Sequence, residues 1–419
     1  MRGNVLAGVL LLLVMPFCAV GAGDDPAEQA VRVLDPDSDL VGELLTVHAR
    51  YEDTLIDIAR AHGLGYHAIR NANPGVDPWV PGEGTPVVLP RGHVLPRTAR
   101  SGIVINLPEM RLYDFTPGDG QLMTYAVSIG RMDWSTPVGT LSVIEKTERP
   151  AWHPPASVRE SYAARGQSLP ARVPPGPDNP LGDFAMRLSR PSYLIHGTNW
   201  PEGIGMRATH GCIRLGPADI EHLFSRIPVG THVHIVNEPV KAGWSGDTLY
   251  LEAHPVLEEL QEPNNLTPAV RAVVAATAAR MARVDWDAVH QVAMARTGIP
   301  EPVGVFDQEP GIPETAGAGH PAPEETEPPG EGEVLQWYVQ MGSFGVTDNA
   351  QRLASRLKQA GFTVRLDEDR QERQTLTRVL VGPASNAGEA RALAEVIRQA
   401  TGESGHVVNL NAPGEAAFR

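Results

Sequence analysis

Cysteine is nearly absent: the 419 residues carry only Cys18 and Cys212. That count excludes a disulfide scaffold and a cysteine-based zinc site. Aromatic residues make up 5%. Basic residues are outnumbered, 35 Lys and Arg against 50 Asp and Glu, for a net charge of −15. Neutralising phosphate needs a basic surface, so no nucleic-acid partner is expected. What is plentiful is Gly (42) and Pro (38), which predicts many turns and a linker. A hydrophobic content of 42% is enough for packed cores, and the length suggests two to four domains.

The N-terminus reads as an export signal. One basic residue, Arg2, precedes an apolar run from Val5 to Val14, then Pro16 and small residues ending at Val20-Gly21-Ala22. Residues 1–22 are therefore expected to be a signal peptide cut after Ala22, and the mature chain to be periplasmic. The alternative is an uncleaved anchor, since the uncharged stretch 3–23 is 21 residues, just long enough to span a bilayer. Cleavage leaves Cys212 as the single thiol, either an inert core residue or a working nucleophile.

Residues 45–90 read as a compact α+β unit. Thr46–Ala49 is a strand, and Asp53 is the expected N-cap of a helix over 54–62 that ends at Gly63. A second short helix lies near Tyr66–Asn71, and Pro86–Pro90 is a closing strand. Asp53-Thr54-Leu55, Ile58-Ala59, Asn71-Ala72-Asn73-Pro74 and Val88-Leu89-Pro90 give this unit a pattern that resembles LysM. LysM binds glycans containing N-acetylglucosamine. Glu52 stands where that family usually has Gly.

Residues 100–238 change to short β runs bounded by Pro, Gly and Asp, among them 103–107, 111–115, 124–129 and 139–144. That spacing predicts a mainly β domain, a sandwich or barrel. Pro-rich text over 150–182 interrupts it, and a long insertion in a compact domain reads as a lid, with Trp152, Tyr162 and Leu181 as anchors. A hairpin and helical extension follows over 239–300. Residues 301–333 hold seven Pro, six Gly, nine acidic residues and no Lys or Arg, and read as a linker that holds two modules apart.

The last stretch, 334–410, contains a repeated β–α–β pattern, predicting a four-stranded sheet backed by two helices. Its first copy starts Trp337–Phe344 and leads to a helix capped by Asp348, and its second starts Arg378-Val379-Leu380-Val381-Gly382-Pro383. These features resemble SPOR, a domain that binds denuded peptidoglycan glycan strands.

The densest motif is HGTNWPEGIGMRATHGCIRL, residues 196–215. A β run delivers His196, Gly197 lets the chain pass closely, and Thr209-His210-Gly211 delivers Cys212 ahead of Arg214. A thiol is nucleophilic as the thiolate, and a nearby imidazole can take its proton. Arg214 supplies a permanent fork for a carboxylate.

His196-Gly197-Thr198 and Thr209-His210-Gly211-Cys212-Ile213-Arg214-Leu215 resemble the signature of the L,D-transpeptidases of the YkuD type, ErfK/YbiS branch. The resemblance implies a YkuD-type β-sandwich and a cysteine acyltransferase acting on peptidoglycan stem peptides and glycan strands. Cys212 would attack the third residue of a stem tetrapeptide, with His196 as general base and backbone N–H groups of Gly211 and Cys212 as oxyanion donors. Gly197 would orient His196, Thr209 and Gly211 would support the loop, and His210 would shape the pocket or assist proton transfer. Trp152, Thr198 and Arg214 would contact substrate. Neither a metal nor an organic cofactor is implied. The acceptor would be a stem-peptide amine, an outer-membrane lipoprotein lysine or a free D-amino acid. Two other readings stay open: a silent wall-binding scaffold, and a hydrolase in which water resolves the thioester.

Overall fold

In a computed structural model of the chain, the described residues are 31–118, 120–257, 259, 266–307, 337–371, 374–384, 386–401 and 403–410. The expected signal peptide, and all of the expected linker beyond Asp307, lie outside them.

Strands β1 (Val31–Val33) and β2 (Leu40–Val41) precede the first unit. That unit runs β3 (Leu44–His48), α1 (Leu55–Ala61), α2 (Tyr66–Ala72) and β4 (Pro86–Pro90), with β3 and β4 antiparallel. Leu55, Ile58, Ile69, Val87 and Leu89 fill its core. The cap of α1 is Thr54 rather than Asp53. Thr54 Oγ1 accepts the Asp57 N–H at 3.1 Å while the Asp57 carboxylate accepts the Thr54 N–H at 3.2 Å, a reciprocal capping box. Asp53 instead accepts the Arg50 N–H at 2.7 Å. Asn73 ties α2 to β4 by donating to Ile69 O and Val88 O and accepting from Val88 N–H.

The central domain contains β5 (His93–Val94), β6 (Ile103–Asn106), β7 (Arg111–Gly118), β8 (Gln121–Ala126), β9 (Ile129–Gly130) and β10 (Gly139–Glu148). Helix α3 (Ala156–Ala163) follows, then β11 (Phe184–Leu188), β12 (Leu194–His196), β13 (Arg207–Thr209), β14 (Ile213–Arg214), α4 (Pro217–Arg226) and β15 (His232–Val236). Nine strands form one sheet in the order β1-β8-β7-β6-β15-β10-β11-β12-β14. The expected two-sheet sandwich is thus a single curled sheet. Long β10 causes this. Its first residues, Gly139–Ser142, pair with β15, and Val143–Glu148 pair with β11 across a register shift. Such a hand-over increases the twist and turns the sheet on itself. Helix α4 buries Ile220, Leu223 and Phe224 against its inner face.

The extension is a second sheet of β16 (Val240–Ser245), β17 (Thr248–Ala253), β18 (Ala282–Val284) and β19 (Glu301–Phe306), carrying α5 (Thr267–Thr277) and α6 (Trp286–Ala295). The expected linker therefore starts too early. Residues 301–306 form β19 between β17 and β18, with Val303 fully buried. Pro302 and the acidic neighbours masked an apolar run of Val303, Val305 and Phe306.

The C-terminal unit is β20 (Trp337–Phe344), α7 (Thr347–Gln359), β21 (Val364–Gln371), β22 (Gln374–Ala384), α8 (Ala387–Thr401) and β23 (His406–Asn409), in sheet order β21-β22-β20-β23. The residue at the cap of α7 is Val346, and Asp348 lies in the first turn. The unit is docked, not held apart. Its apolar core is continuous with that of the extension. Leu266 N–H donates to Gly361 O at 3.1 Å, and the Arg271 guanidinium donates to Pro383 O at 2.7 Å. The apolar stripe Ala269, Val270, Val273 on α5 needs cover, and this unit supplies it.

Candidate active site

Strands β12 and β14 set the site. They pair in parallel, with Ile195 opposite Ile213 and His196 opposite Arg214. Ile195 and Ile213 are buried in the core, which fixes the register and sends His196 and Arg214 to the other face together. Ser128 at the end of the β8 segment clamps the far edge of β14 through a reciprocal backbone pair with Arg214.

His196 is buried, and its Nδ1 lies 2.7 Å from Gly197 O. Gly197 O only accepts, so Nδ1 carries a proton, and Leu181 O is a second backbone acceptor at the same ring. Burial, with the Arg214 guanidinium adding to it, pushes the His196 pKa down to about 3. The imidazole is neutral at physiological pH, the state a general base requires.

Cys212 is half-buried and follows the loop Thr209–Gly211. Its Sγ lies 3.6 Å from Ser192 O and accepts a hydrogen bond from the Leu194 N–H. The same short strand thus holds the thiol and carries His196. Burial pushes the thiol pKa up, opposed by the Leu194 N–H and Arg214. The resting pair is neutral thiol and neutral imidazole.

The loop before Cys212 is pinned at several points. Thr209 Oγ1 donates to Cys212 O at 2.6 Å and accepts the Gly211 N–H at 3.2 Å. Thr136 Oγ1 donates to Gly211 O at 3.0 Å and accepts the Gly130 N–H at 3.0 Å. Gly211 has φ +101°, and a Cβ there would meet the Tyr193 ring at 3.0 Å, so only glycine turns the chain here. The Gly211 N–H is committed to Thr209. Among the described residues the Cys212 N–H has no protein acceptor, so of the two expected oxyanion donors only Cys212 is free.

The other expected residues divide. His210 is half-buried, edge-on to Trp134 at 5.2 Å, with Nε2 3.3 Å from Arg131 Nη2. Arginine only donates, so this Nε2 is occupied as an acceptor and does not serve the thiol. Burial, then Arg131, Arg165 and Arg214, lower the His210 pKa. Thr198 is buried and its Oγ1 accepts the Trp200 N–H at 2.9 Å, so it shapes its loop. Trp152 is half-buried at the base of the insertion and pairs with Val173 through both backbone groups.

The insertion 150–182 is ordered by Asn179, which is fully buried. Its Nδ2 donates to Pro150 O at 2.7 Å and Pro174 O at 3.2 Å, and its Oδ1 accepts the Leu181 N–H. Helix α3 brings Tyr162 to Arg214, and Arg165 stacks over the Tyr162 ring at 4.7 Å. Sequence reading missed Arg131, Thr136 and Arg165 as site residues and named Tyr162 only as an anchor of the insertion. The punctuation Gly130-Arg131 and Thr136-Pro137 after a strand was the available signal for two of them.

The only His, Asp, Glu or Cys group with metal-like spacing among the described residues is His93, Glu109 and Glu252, all buried. Lys241 Nζ sits 2.8 Å from Glu109 Oε2 and 3.1 Å from Glu252 Oε1. The ammonium supplies the cation these carboxylates need, and the cluster joins β5, the β6–β7 turn and the β16–β17 hairpin.

Comparison with known proteins identifies two of the domains. Residues 100–235 match the family described as the L,D-transpeptidase catalytic domain, YkuD, and residues 336–409 match the SPOR domain. The chain is 39% identical over 298 residues to the probable L,D-transpeptidase YcfS of Escherichia coli, covering 69% of this chain and 93% of that one. It is 38% identical over 287 residues to the probable L,D-transpeptidase ErfK/SrfK of Salmonella typhimurium, covering 66% and 90%. It is 36% identical over 296 residues to the probable L,D-transpeptidase YbiS of Escherichia coli, covering 69% and 96%.

Proposed function

The chain belongs to the L,D-transpeptidase family, an acyltransferase with a YkuD catalytic domain and a SPOR domain, and from that premise we propose how its residues act. Cys212 is the nucleophile and His196 Nε2 the base. The observation that carries this reading is that β12 both holds Cys212 Sγ and presents His196, with Nδ1 tied to Gly197 O.

Cys212 attacks the carbonyl of the third residue of a stem tetrapeptide. The S–C bond forms as the thiol proton moves to His196 Nε2, and the Cys212 N–H faces the developing oxyanion. The C–N bond then breaks, and His196 gives the proton to the departing D-alanine amine. An acceptor amine attacks the thioester, the N–C bond forms and the S–C bond breaks, and the amine proton returns to sulfur through His196. Starting from a neutral pair avoids an idle thiolate in the absence of substrate.

The acceptor is the amine of a second stem peptide, giving a 3–3 cross-link, or of an outer-membrane lipoprotein. The LysM-like unit and the SPOR domain add contacts to glycan, and two weak contacts on one chain raise avidity. Export by residues 1–22 to the periplasm fits all three modules. Incubation with defined tetrapeptide muropeptides and a lipoprotein C-terminal peptide, followed by mass spectrometry, tests this. A 3–3 dimer or a peptide adduct is expected. Tripeptide alone would make the enzyme a carboxypeptidase, and no product would make it a scaffold.

A further inference from the structure

The turn between β11 and β12 has a backbone feature that the acyl-transfer steps leave unused. Arg190-Pro191-Ser192-Tyr193 closes with the Tyr193 N–H donating to Arg190 O at 3.3 Å. Pro191 stands at its second position and Ser192, with φ +70°, at its third. That is the type II pattern, whose third position calls for glycine or asparagine. Serine there is disfavoured and persists only where the surroundings over-determine it. Met110, Arg149 and Arg296 share a positive φ. What distinguishes Ser192 is that its carbonyl oxygen lies 3.6 Å from Cys212 Sγ. The turn is fixed from several sides. The Leu188 N–H donates to Tyr193 O at 3.0 Å, and the Ser189 N–H donates to Ser142 O at 2.8 Å. Ser189 Oγ accepts the Ser142 N–H at 3.1 Å, and the Tyr193 ring lies against Gly211. Two residues beyond Ser192, the Leu194 N–H donates to the same sulfur. Cys212 Sγ therefore sits between one acceptor and one donor, both from the start of β12. A thiol can donate its S–H to the carbonyl, whereas a thiolate has no proton to offer and is repelled by it.

We propose that the Ser192 carbonyl is a latch that holds the Cys212 proton on sulfur, and that the left-handed backbone of Ser192 aims it, which makes Ser192 a positioning residue. The proposal rests on the reading above that Cys212 is the nucleophile. In the resting chain the S–H bond points at Ser192 O. With a donor peptide bound, rotation about the Cys212 Cα–Cβ bond turns the same proton to His196. The S–H bond breaks as the S–C bond forms, and the proton returns to sulfur when the thioester is resolved. An electrophile that meets the thiol without turning it from Ser192 finds a protonated sulfur, which is a poor nucleophile. Arg214 is the charged group that acts on the thiol, and it favours the thiolate. His196 and Tyr162 neighbour the same guanidinium. Burial outweighs Arg214 in the free chain, and the latch adds to burial.

Two measurements on the full chain test this. The first is the infrared S–H stretch of Cys212, taken as the difference between the unaltered chain and Cys212→Ser. A donated S–H absorbs at lower frequency than a free one, so a lowered band is expected. It should return toward the free position in Ser192→Val, because a β-branched residue is excluded from the left-handed region. The Ser192 side chain is exposed, so valine meets the backbone restriction and no steric one. The second is the rate of alkylation of Cys212 by uncharged iodoacetamide against pH, whose inflection follows the thiolate. Ser192→Val should move the inflection to lower pH and raise the rate at neutral pH roughly 2–10-fold, the range for one lost hydrogen bond. Ser192→Gly, which adopts the same φ without strain, should keep the inflection of the unaltered chain. Melting shows whether the variants are folded. An S–H band at the free position in the unaltered chain overturns the latch, whether or not the valine variant folds. So does an unshifted inflection in folded Ser192→Val. Neither result touches the acyl-transfer reading, which fails separately if Cys212→Ala still turns over a tetrapeptide donor.

Discussion

Gly65, which opens helix α2 of the N-terminal unit, meets Gly205 of the loop between His196 and Cys212 backbone to backbone. A Cβ on Gly65 would fall 2.7 Å from Gly205 Cα, and one on Gly205 would fall 2.3 Å from Gly65 Cα. The first-turn N–H groups of Tyr66 and His67 donate to Ile204 O at 3.0 Å and Gly205 O at 3.2 Å. The helix start satisfies its orphan donors on the catalytic loop. Ser128 Oγ donates to Gly203 O at 2.7 Å from the opposite side. The loop is held between the two modules.

Gly65→Ala should therefore lower kcat/KM without unfolding either core. Its φ is ordinary for any residue, so the cost comes from contact with Gly205 alone, about 1–3 kcal/mol for overpacking. Steady-state kinetics with a tetrapeptide donor, alongside melting, check this. Unchanged kinetics would make the N-terminal unit a passive neighbour.

The pH dependence follows from His196. Its folded pKa is about 3 and its unfolded value is near 6.5. The imidazole is depressed, so its contribution to stability is complete above pH 6.5 and is lost progressively as pH falls toward 3. The base form persists over the same range. Carbapenem acylation of Cys212 should stay flat from pH 8 to 5 while the melting temperature declines below pH 6.5. An acid limb centred near pH 6.5 in the acylation rate would contradict the neutral resting pair.

Lys241 holds the junction of three segments through Glu109 and Glu252, all fully buried. Lys241→Met leaves two carboxylates without their cation and should cost roughly 3–5 kcal/mol in denaturant unfolding. Lys241, with His254 and His93, holds Glu252 down to about 2 against the effect of burial. That contribution is present above the unfolded value of 4.5 and is lost as pH falls through 2. Adding Glu109→Gln and Glu252→Gln to Lys241→Met should recover part of the loss. A single variant as stable as the parent would show the cluster to be energetically idle.

A chain ending at Asp307 keeps β19 and should retain transfer on soluble muropeptides. It uncovers the apolar stripe of α5, so it should bind more hydrophobic dye than the full chain. A cut at residue 300 removes β19 from between β17 and β18 and should destabilise the extension. Equal stability of the two truncations would show that β19 contributes nothing.

The thiol, its histidine and the loop threonine were legible because they sit in one short stretch, residues 196–215, whose residue types have joint chemical meaning. Arg131 and Arg165 were not, because the curl of the sheet and the fold of the insertion bring them to the loop before Cys212 from 81 and 47 residues away along the chain, and chain order carries no sign of it. Local signals also misled. Asp53 looked like a cap, yet Thr54 does the capping because Asp57 three residues on can reciprocate. The strand Glu301–Phe306 was hidden by acidic and proline neighbours, and only its pairing with β17 and β18 defines it. The sandwich became one sheet because β10 has two partners along its length, which alternation of residues does not reveal.

The central claim is that Cys212 alone carries the acyl group. Intact-mass spectrometry of the full chain, quenched in acid after brief incubation with a tetrapeptide donor and no acceptor, measures it. The account predicts one adduct equal to the donor less one alanine, labile to hydroxylamine and absent from Cys212→Ala. An adduct that survives Cys212→Ala, or transfer product formed by that variant, would contradict it.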